Sequence, residues 1–408
     1  MKFTNSNIWW GPPKKFATTF NERKISWLEL FYDLVYVIAI SKITYQLAHH
    51  PDFSGLLDYI YLFSMIFWGW LNGSMYHDLH SSPGIRTRLI TLWQMMIVAA
   101  LIVTLSGPPE TIIYRGTIAI ALMQFYITYL WWSVGIYDKE HRKFNKPYTI
   151  CFLISLALIL ITLFLRQPYV RIIFYVTLVL NYIPPFLFNR KLTKHRIEFN
   201  LSSSMTERLG LFMIIIFGEA VLGVINGATE LNEVNVSVWI NFGMGILIVF
   251  AFWWIFFAII ADRYTRQGFL SGQYMQLAFI PTFMALGMIG ASFSRLFHNF
   301  GNSNEIYGDW IKNIFGASLC IFLTGITLIS QYLVYPAAYE RLKRKVQFFL
   351  LSVVACILLS TLLSSYCNLF TYLLIIVLLL IMIIVVITRI WLFIEIENRK
   401  EDNASVVS

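Results

Sequence analysis

The sequence predicts an all-α protein, a polytopic transmembrane bundle of about twelve helices, possible as two parallel six-helix repeats. Three observations lead there. Of the 408 residues 58% are hydrophobic and 13% charged, with a mean hydropathy of +0.66, which leaves no stretch for a sizeable soluble domain. Apolar runs of roughly 18 or more residues, the length that crosses a ~30 Å hydrocarbon layer, recur along almost the whole chain. The basic residues gather in short connections between those runs, as in NRKLTKHR (189–196) and ERLKRKV (340–346).

In chain order, residues 1–25 form a polar, proline-containing and aromatic tail that includes NIWWGPPKKF. The first apolar run is too long for a signal-peptide core, so no cleaved leader is expected. The first membrane half, 26–200, holds spans centred near residues 36, 66, 97, 124, 156 and 178. The second, 201–398, holds spans centred near 217, 248, 284, 322, 355 and 382, and 399–408 is a C-terminal tail. Polar or Pro/Gly-containing segments separate them. NYIPPFLF (181–188) and FIPTFMALGMIGAS (279–292) place proline inside apparent spans, where a missing N–H and a steric clash kink a helix or free its carbonyls. Aromatic groups at span ends, such as WW (9, 10), WWSVGIY (131–137) and RIWLF (389–393), read as an interfacial belt.

All of the 31 Lys and Arg except Lys42, Arg115, Arg166, Arg171, Arg295, Lys312 and Arg389 then fall in the tails or in the loops leading from an even to an odd span. By the positive-inside rule both termini are cytoplasmic, and the loop near 231, with Glu230 and Glu233, is external. The two halves also carry a weak internal repeat. A shift of 186 residues sets Phe31, Asp33 and Val35 on Phe217, Glu219 and Val221, and Ala99 and Ser106 on Ala285 and Ser292. A shift of 184 sets WLNGSMYHD (70–78) on WIFFAIIAD (254–262). Six spans per half would make the repeats parallel.

The candidate site starts from WLELFYDLVYVIAI (27–40), apolar and aromatic except for Glu29 and Asp33. Four residues apart, they lie ~40° apart around a helix, with Tyr36 near the same direction, so the three make one polar stripe. An ionised carboxylate at mid-helix costs roughly 2.5–3.5 kcal/mol, so such acids should face protein or water. Glu29 can also be read as snorkelling or pairing near Lys24; Asp33 lies ~13 Å beyond Lys24, too deep for that. Glu219 lies ~16 Å from Arg208 and is surrounded by Gly218, Gly223 and Gly227, which would let neighbouring backbones approach. Desolvation favours the neutral form of such acids, as a proton carrier requires. Asp78 and Asp262, near Arg86, Arg88, Arg263 and Arg266, read as loop salt bridges with a possible gating role. Arg115 and Arg389 are candidate counter-ions, both close enough to helix ends to snorkel.

RKISWLELFYDLVYVIAISKIT (23–44), FWGW…YHD…IRTRLITLWQM (67–95) and ERLGLFMIIIFGEAVLGV (207–224) together resemble the low-temperature-requirement A family of bacterial integral membrane proteins. The resemblance spans the membrane region and implies a multi-pass bacterial inner-membrane protein; the family name records a cold-growth phenotype and names no biochemical activity. By similarity its characteristic acids fall on Glu29, Asp33, Asp78 and Glu219. Where the family often has Asn-Arg before the acid of the second span, this chain has Tyr76 and His77, so the counter-ion that arginine would offer is not at that place.

No phosphate loop, H-E-x-x-H, G-x-S-x-G elbow or CxxC pair points to an enzyme. Cys151, Cys320, Cys356 and Cys367 are scattered through apolar segments, and His49, His50, His77 and His80 lack metal spacing, so neither metal nor cofactor is expected. The net charge of +9 is read as contact with the anionic lipid surface rather than with nucleic acid. The sequence therefore predicts a transporter-like protein in which Asp33 and Glu219 share a cavity and couple cations or protons to a small solute. A cation channel, a membrane-embedded enzyme and a non-transporting sensor or scaffold are the alternatives; the solute and the oligomeric state are not specified by the sequence.

Overall fold

The computed structural model describes residues 25–80, 84–107, 109–139, 142–166, 168–187, 201–229, 235–261, 263–297 and 308–407. Its helices are α1 (Trp27–His49), α2 (Phe53–His80), α3 (Ile85–Leu105), α4 (Pro109–Tyr137), α5 (Arg142–Thr162), α6 (Tyr169–Tyr182), α7 (Pro184–Leu187), α8 (Ser203–Thr229), α9 (Val236–Ile260), α10 (Phe269–Leu296), α11 (Gly308–Gln331), α12 (Ala337–Leu362) and α13 (Leu369–Val407). Each expected span centre falls in its own helix, and none falls in the four-residue α7. Among the described residues nine helices, α3–α5 and α8–α13, are long and apolar enough to cross a membrane. α6 is apolar but only 14 residues long. α1 carries Glu29, Asp33 and Lys42, and α2 mixes Tyr, Trp, Gly, Ser and Asn into its sequence. Glu29 and Asp33 of α1, and most of the polar residues of α2, are buried within the protein, while Lys42 is half-buried.

The chain forms two compact units. The first comprises the chain up to Gln46 with Ser54–Phe212 and Gln267–Gln273; the second comprises Leu47–Phe53, Met213–Arg266 and Tyr274 onward.

In the first unit α2 is the central helix. Residues 63–74 are buried on every side, as expected where apolar and small residues run right round a helix. Aromatic rings follow one another along it, with centroids 5.8 Å apart for Tyr59 and Phe63, 6.5 Å for Phe63 and Phe67, and 5.3 Å for Phe67 and Trp70. Buried amides tie the neighbouring helices to it. Gln124 on α4 and Asn181 on α6 exchange hydrogen bonds of 3.0 and 2.9 Å, and Trp68 Nε1 donates to the Asn181 carbonyl at 3.2 Å. Trp131 Nε1 donates to Asn72 Oδ1 at 3.1 Å, so this tryptophan is an internal strut rather than part of an interfacial belt. Such groups are retained in a water-poor interior only when their hydrogen bonds are made. The expected proline break in NYIPPFLF lies between α6 and α7, where Pro184 has no N–H to continue the ladder.

The second unit relies on close backbone packing. A Cβ added at Gly223 would lie 2.2 Å from the Gly290 carbonyl oxygen, and one at Gly227 would lie 2.4 Å from that of Phe293. The part of α8 in this unit therefore touches α10 backbone to backbone through Gly223-x-x-x-Gly227. Gly218, expected to act the same way, faces open space instead. Pro281 stays within α10. Arg295, placed in a helix or outer loop by the sequence, donates from Nε to the Ala48 carbonyl at 2.6 Å, satisfying an acceptor in the last turn of α1. α9 begins at an Asn235 cap whose side chain accepts from Val238 N–H at 3.0 Å.

Of the four cysteines Cys320 is buried, Cys151 and Cys367 are half-buried and Cys356 is exposed.

The glycine contact gives a paired test. Gly→Ala inside a helix normally stabilises by about 0.5–1 kcal/mol. Gly218→Ala should follow that rule, whereas Gly223→Ala should destabilise by about 1–3 kcal/mol, the cost of overpacking. Melting temperatures of the two purified variants in detergent should move in opposite directions.

Candidate functional site

The start of α1 is fixed by its own side chains. The Ser26 N–H and hydroxyl donate to Glu29 Oε2 at 2.9 and 3.0 Å, and the Glu29 N–H donates back to Ser26 Oγ at 3.3 Å. This reciprocal capping box follows from Ser-x-x-Glu at the helix start. The signal was present in the sequence as Ser26-Trp27-Leu28-Glu29, but the sequence reading paired Glu29 with Lys24, which lies outside the described residues.

From this start, Glu29, Tyr32, Asp33 and Tyr36 fall on one buried face, while Phe31, Leu34 and Ile38 lie exposed on the other. The expected stripe is present. Asp33 is 0% exposed, and three donors converge on its carboxylate. Arg208 approaches as a fork, Nη2 donating to Oδ1 and Nε to Oδ2 at 3.3 Å, and Trp70 Nε1 donates to Oδ1 at 2.7 Å. Because every partner is a donor and one is a guanidinium, the arrangement suits an ionised carboxylate. The guanidinium, 1% exposed, also lies 5.7 Å from the ring centres of Tyr32 and Trp70. Its Nη1 makes no hydrogen bond among the described residues; Glu29 Oε1, on a residue 4% exposed, is 4.0 Å away.

Arg208 is the residue sequence reasoning missed. The sequence reading left it among the loop bases and sought counter-ions at Arg115 and Arg389. Arg208 instead sits in the second turn of α8, between Met205, Leu209 and Phe212 on the helix's buried face. That three-and-four spacing was the available signal.

Beside the ion pair, Gln94 Nε2 on α3 donates to the hydroxyls of Tyr32 and Tyr36, both at 2.8 Å, and to the Gly69 carbonyl at 3.2 Å. Tyr36 is thus held by an amide rather than by the acids. Gly73 makes room for this cluster: a Cβ there would lie 2.2 Å from the Tyr32 hydroxyl. His77 is buried, with Nε2 3.1 Å from Thr91 Oγ1 and its ring edge-on to Tyr32 at 6.0 Å.

Asp78 does not bond the arginines that sequence proximity suggested. It accepts from the hydroxyls of Ser202 and Ser204, while Ser202 Oγ also accepts from Met205 N–H at 3.0 Å. A carboxylate at the beginning of α8 complements the exposed N–H groups and the helix dipole, and it anchors the turn that carries Arg208. Asp262 lies outside the described residues. Glu219 belongs to the second unit, where it is half-buried and its backbone packs close to Gly290. Among the described residues no three His, Cys, Asp or Glu side chains gather as metal ligands.

The family model of the bacterial low temperature requirement A protein (LtrA) matches residues 24–387. The chain belongs to the LtrA family. No match was found among curated proteins or among solved structures. The matched span contains α1 and α8, and with them the whole Glu29–Asp33–Arg208 cluster. This LtrA-family chain is thus an integral, multi-pass, all-α membrane protein whose first unit buries an ion pair.

The pair has a stability signature. Arg208→Ala leaves a buried carboxylate without its cation and should cost about 3–5 kcal/mol. Replacing both partners by apolar residues, Asp33→Leu with Arg208→Met, should recover part of that loss, since the Asp33 carboxylate is then no longer buried without its cation. Thermal unfolding of the single and double variants in the same detergent checks both outcomes.

Proposed function

We propose that this LtrA-family protein is a secondary-transporter-like protein of the bacterial inner membrane, coupling a proton or another small cation to the movement of a small solute. The observation that carries the reading is a cluster of titratable groups withdrawn from solvent. Two buried carboxylates, Glu29 and Asp33, lie beside one buried guanidinium, Arg208. A low-dielectric interior penalises an ionised carboxylate and so favours uptake of a proton or another small cation at such a cluster.

The geometry supports different roles for the two acids. Asp33, held by three donors, is the fixed anion that keeps Arg208 in place. Glu29 holds the helix cap with Oε2 while Oε1 stands 4.0 Å from Arg208, which makes it the better candidate for proton exchange. This exchanges the roles expected from the sequence, where Asp33 and Glu219 were the exchanging groups. Glu219 remains a candidate in the second unit. Both termini are proposed to be cytoplasmic, with twelve crossings arranged as two six-helix halves. Reporter fusions near 195 and 231 should then read inside and outside.

A second reading, a non-transporting scaffold or sensor, is favoured by one observation: the capping box and the fork contact have purely structural value. The two readings separate on Glu29→Gln. Glutamine can replace glutamate in a capping box, and the Asp33–Arg208 pair remains balanced, so the variant should fold at normal abundance. In proteoliposomes with an internal pH dye and a panel of small solutes, the wild-type protein should move protons when its solute is present. Glu29→Gln should lose that coupled proton movement by at least tenfold. Full proton-coupled flux in Glu29→Gln would reject coupling at this residue.

A further inference from the structure

In the second unit, residues 264–266 and 332–334 are clipped together by backbone pairing. Arg266 N–H donates to the Tyr332 carbonyl at 2.8 Å, Val334 N–H donates to the Tyr264 carbonyl at 2.9 Å, and Thr265 bridges Leu333 in antiparallel register. The clip joins the segment after α9 to the segment before α12. It fixes basic side chains from two stretches of chain around one aromatic ring. The Arg263 guanidinium lies 5.5 Å and the Lys343 ammonium 4.9 Å from the centre of the Tyr335 ring. Tyr339 stacks on that ring at 4.7 Å, and Tyr335 donates from its hydroxyl to the Ile259 carbonyl at 3.1 Å. The ring is therefore held at both its face and its edge.

Among the described residues the charges at this place do not balance. Glu340 is shared, its Oε1 lying 3.5 Å from Lys343 Nζ and 3.7 Å from Arg266 Nη2. Arg263 enters no ion pair among the described residues, and its buried Nε has no hydrogen-bond acceptor. Lys343 is only 7% exposed, so its charge is poorly hydrated. Exposed Arg341, Arg344 and Lys345 continue the positive surface along the first turns of α12. A surface meant only for water would not bury a guanidinium N–H without an acceptor beside a second, half-compensated cation.

We propose that Arg263, Arg266 and Lys343 bind a phosphate group, which would supply the acceptor for Arg263 Nε and the missing negative charge. A guanidinium presents parallel N–H donors matched to phosphate oxygens, and an ammonium adds a point charge. The group can come from an anionic lipid headgroup or from free phosphate. Basic clusters at the ends of membrane helices recognise headgroups in this way. The site is independent of the proton-coupling reading, since it shares no residue with it.

The test uses the full-length protein in a neutral detergent, with phosphatidylglycerol, phosphatidylcholine or inorganic phosphate added separately, and follows melting temperature and lipid adducts by native mass spectrometry. Phosphatidylglycerol or inorganic phosphate should raise the melting temperature, and phosphatidylcholine should not. A response to phosphatidylglycerol alone identifies a lipid headgroup; displacement of that lipid by millimolar phosphate identifies a site open to the free ion. Arg263→Gln should weaken binding at least tenfold, and Arg263→Lys should lose less. Arg88→Gln, which removes an exposed charge in the first unit, should bind as wild type. Should Arg263→Gln fail to fold, the exposed double variant Arg344→Gln/Lys345→Gln should weaken binding several-fold. No response to either phosphate source, or an equal loss in Arg88→Gln, overturns the proposal.

Discussion

Asp33 and Arg208 are both withdrawn from solvent, and the need to keep that pair closed constrains the residues around it. Two opposite charges removed from water gain more from each other than either could alone, but only if geometry and remaining hydrogen bonds are right. Trp70 supplies one further donor, and Tyr32 and Trp70 supply ring faces for the guanidinium. Gly73 then becomes necessary on α2, because the Tyr32 hydroxyl occupies the space a side chain would fill, while at Gly69 a Cβ would meet Met123 Sδ at 2.6 Å before the Tyr36 hydroxyl at 3.2 Å. Both helices are also capped close to the pair, α1 by Ser26 with Glu29, and α8 by Ser202 with Asp78 behind it. Caps this near the pair hold its rotamers as well as the helix ends.

Glu29 joins structure to proposed function because it belongs to two systems at once. One oxygen closes the capping box and the other faces Arg208 across 4.0 Å. Protonating it would leave the Asp33 fork in place and remove one negative charge beside Arg208. A cation entering the site would therefore change the electrostatics without requiring the pair to open.

The two units solve the same problem by different means. The first hides polar groups by satisfying them, through the amide pair of Gln124 with Asn181 and the donors around Asp33. The second approaches through absence of side chains, at Gly223, Gly227 and Gly290, where dispersion between backbones replaces hydrogen bonding. Two of its basic side chains, Arg263 and Lys343, meet instead at the clip beside α12, over the Tyr335 ring.

Composition and the length of the apolar runs were enough to determine an all-α membrane protein and to put each span centre inside a helix, because the cost of exposing backbone and charge to hydrocarbon is local and additive along the chain. The same local rule identified Glu29, Asp33 and Tyr36 as one face. The sequence also held, unread, the Ser26–Glu29 capping box and the buried-face spacing of Arg208. What it could not hold was the partner of each group. Asp33 finds its cation 175 residues away, Trp70 turns inward to the acid while Trp254 on the matching position stays exposed, and Asp78 bonds serines rather than the arginines nearest in sequence. Periodicity specifies which way a side chain faces; only the packing of helices far apart in the chain decides what it meets there, and for a buried charge that partner determines its chemistry.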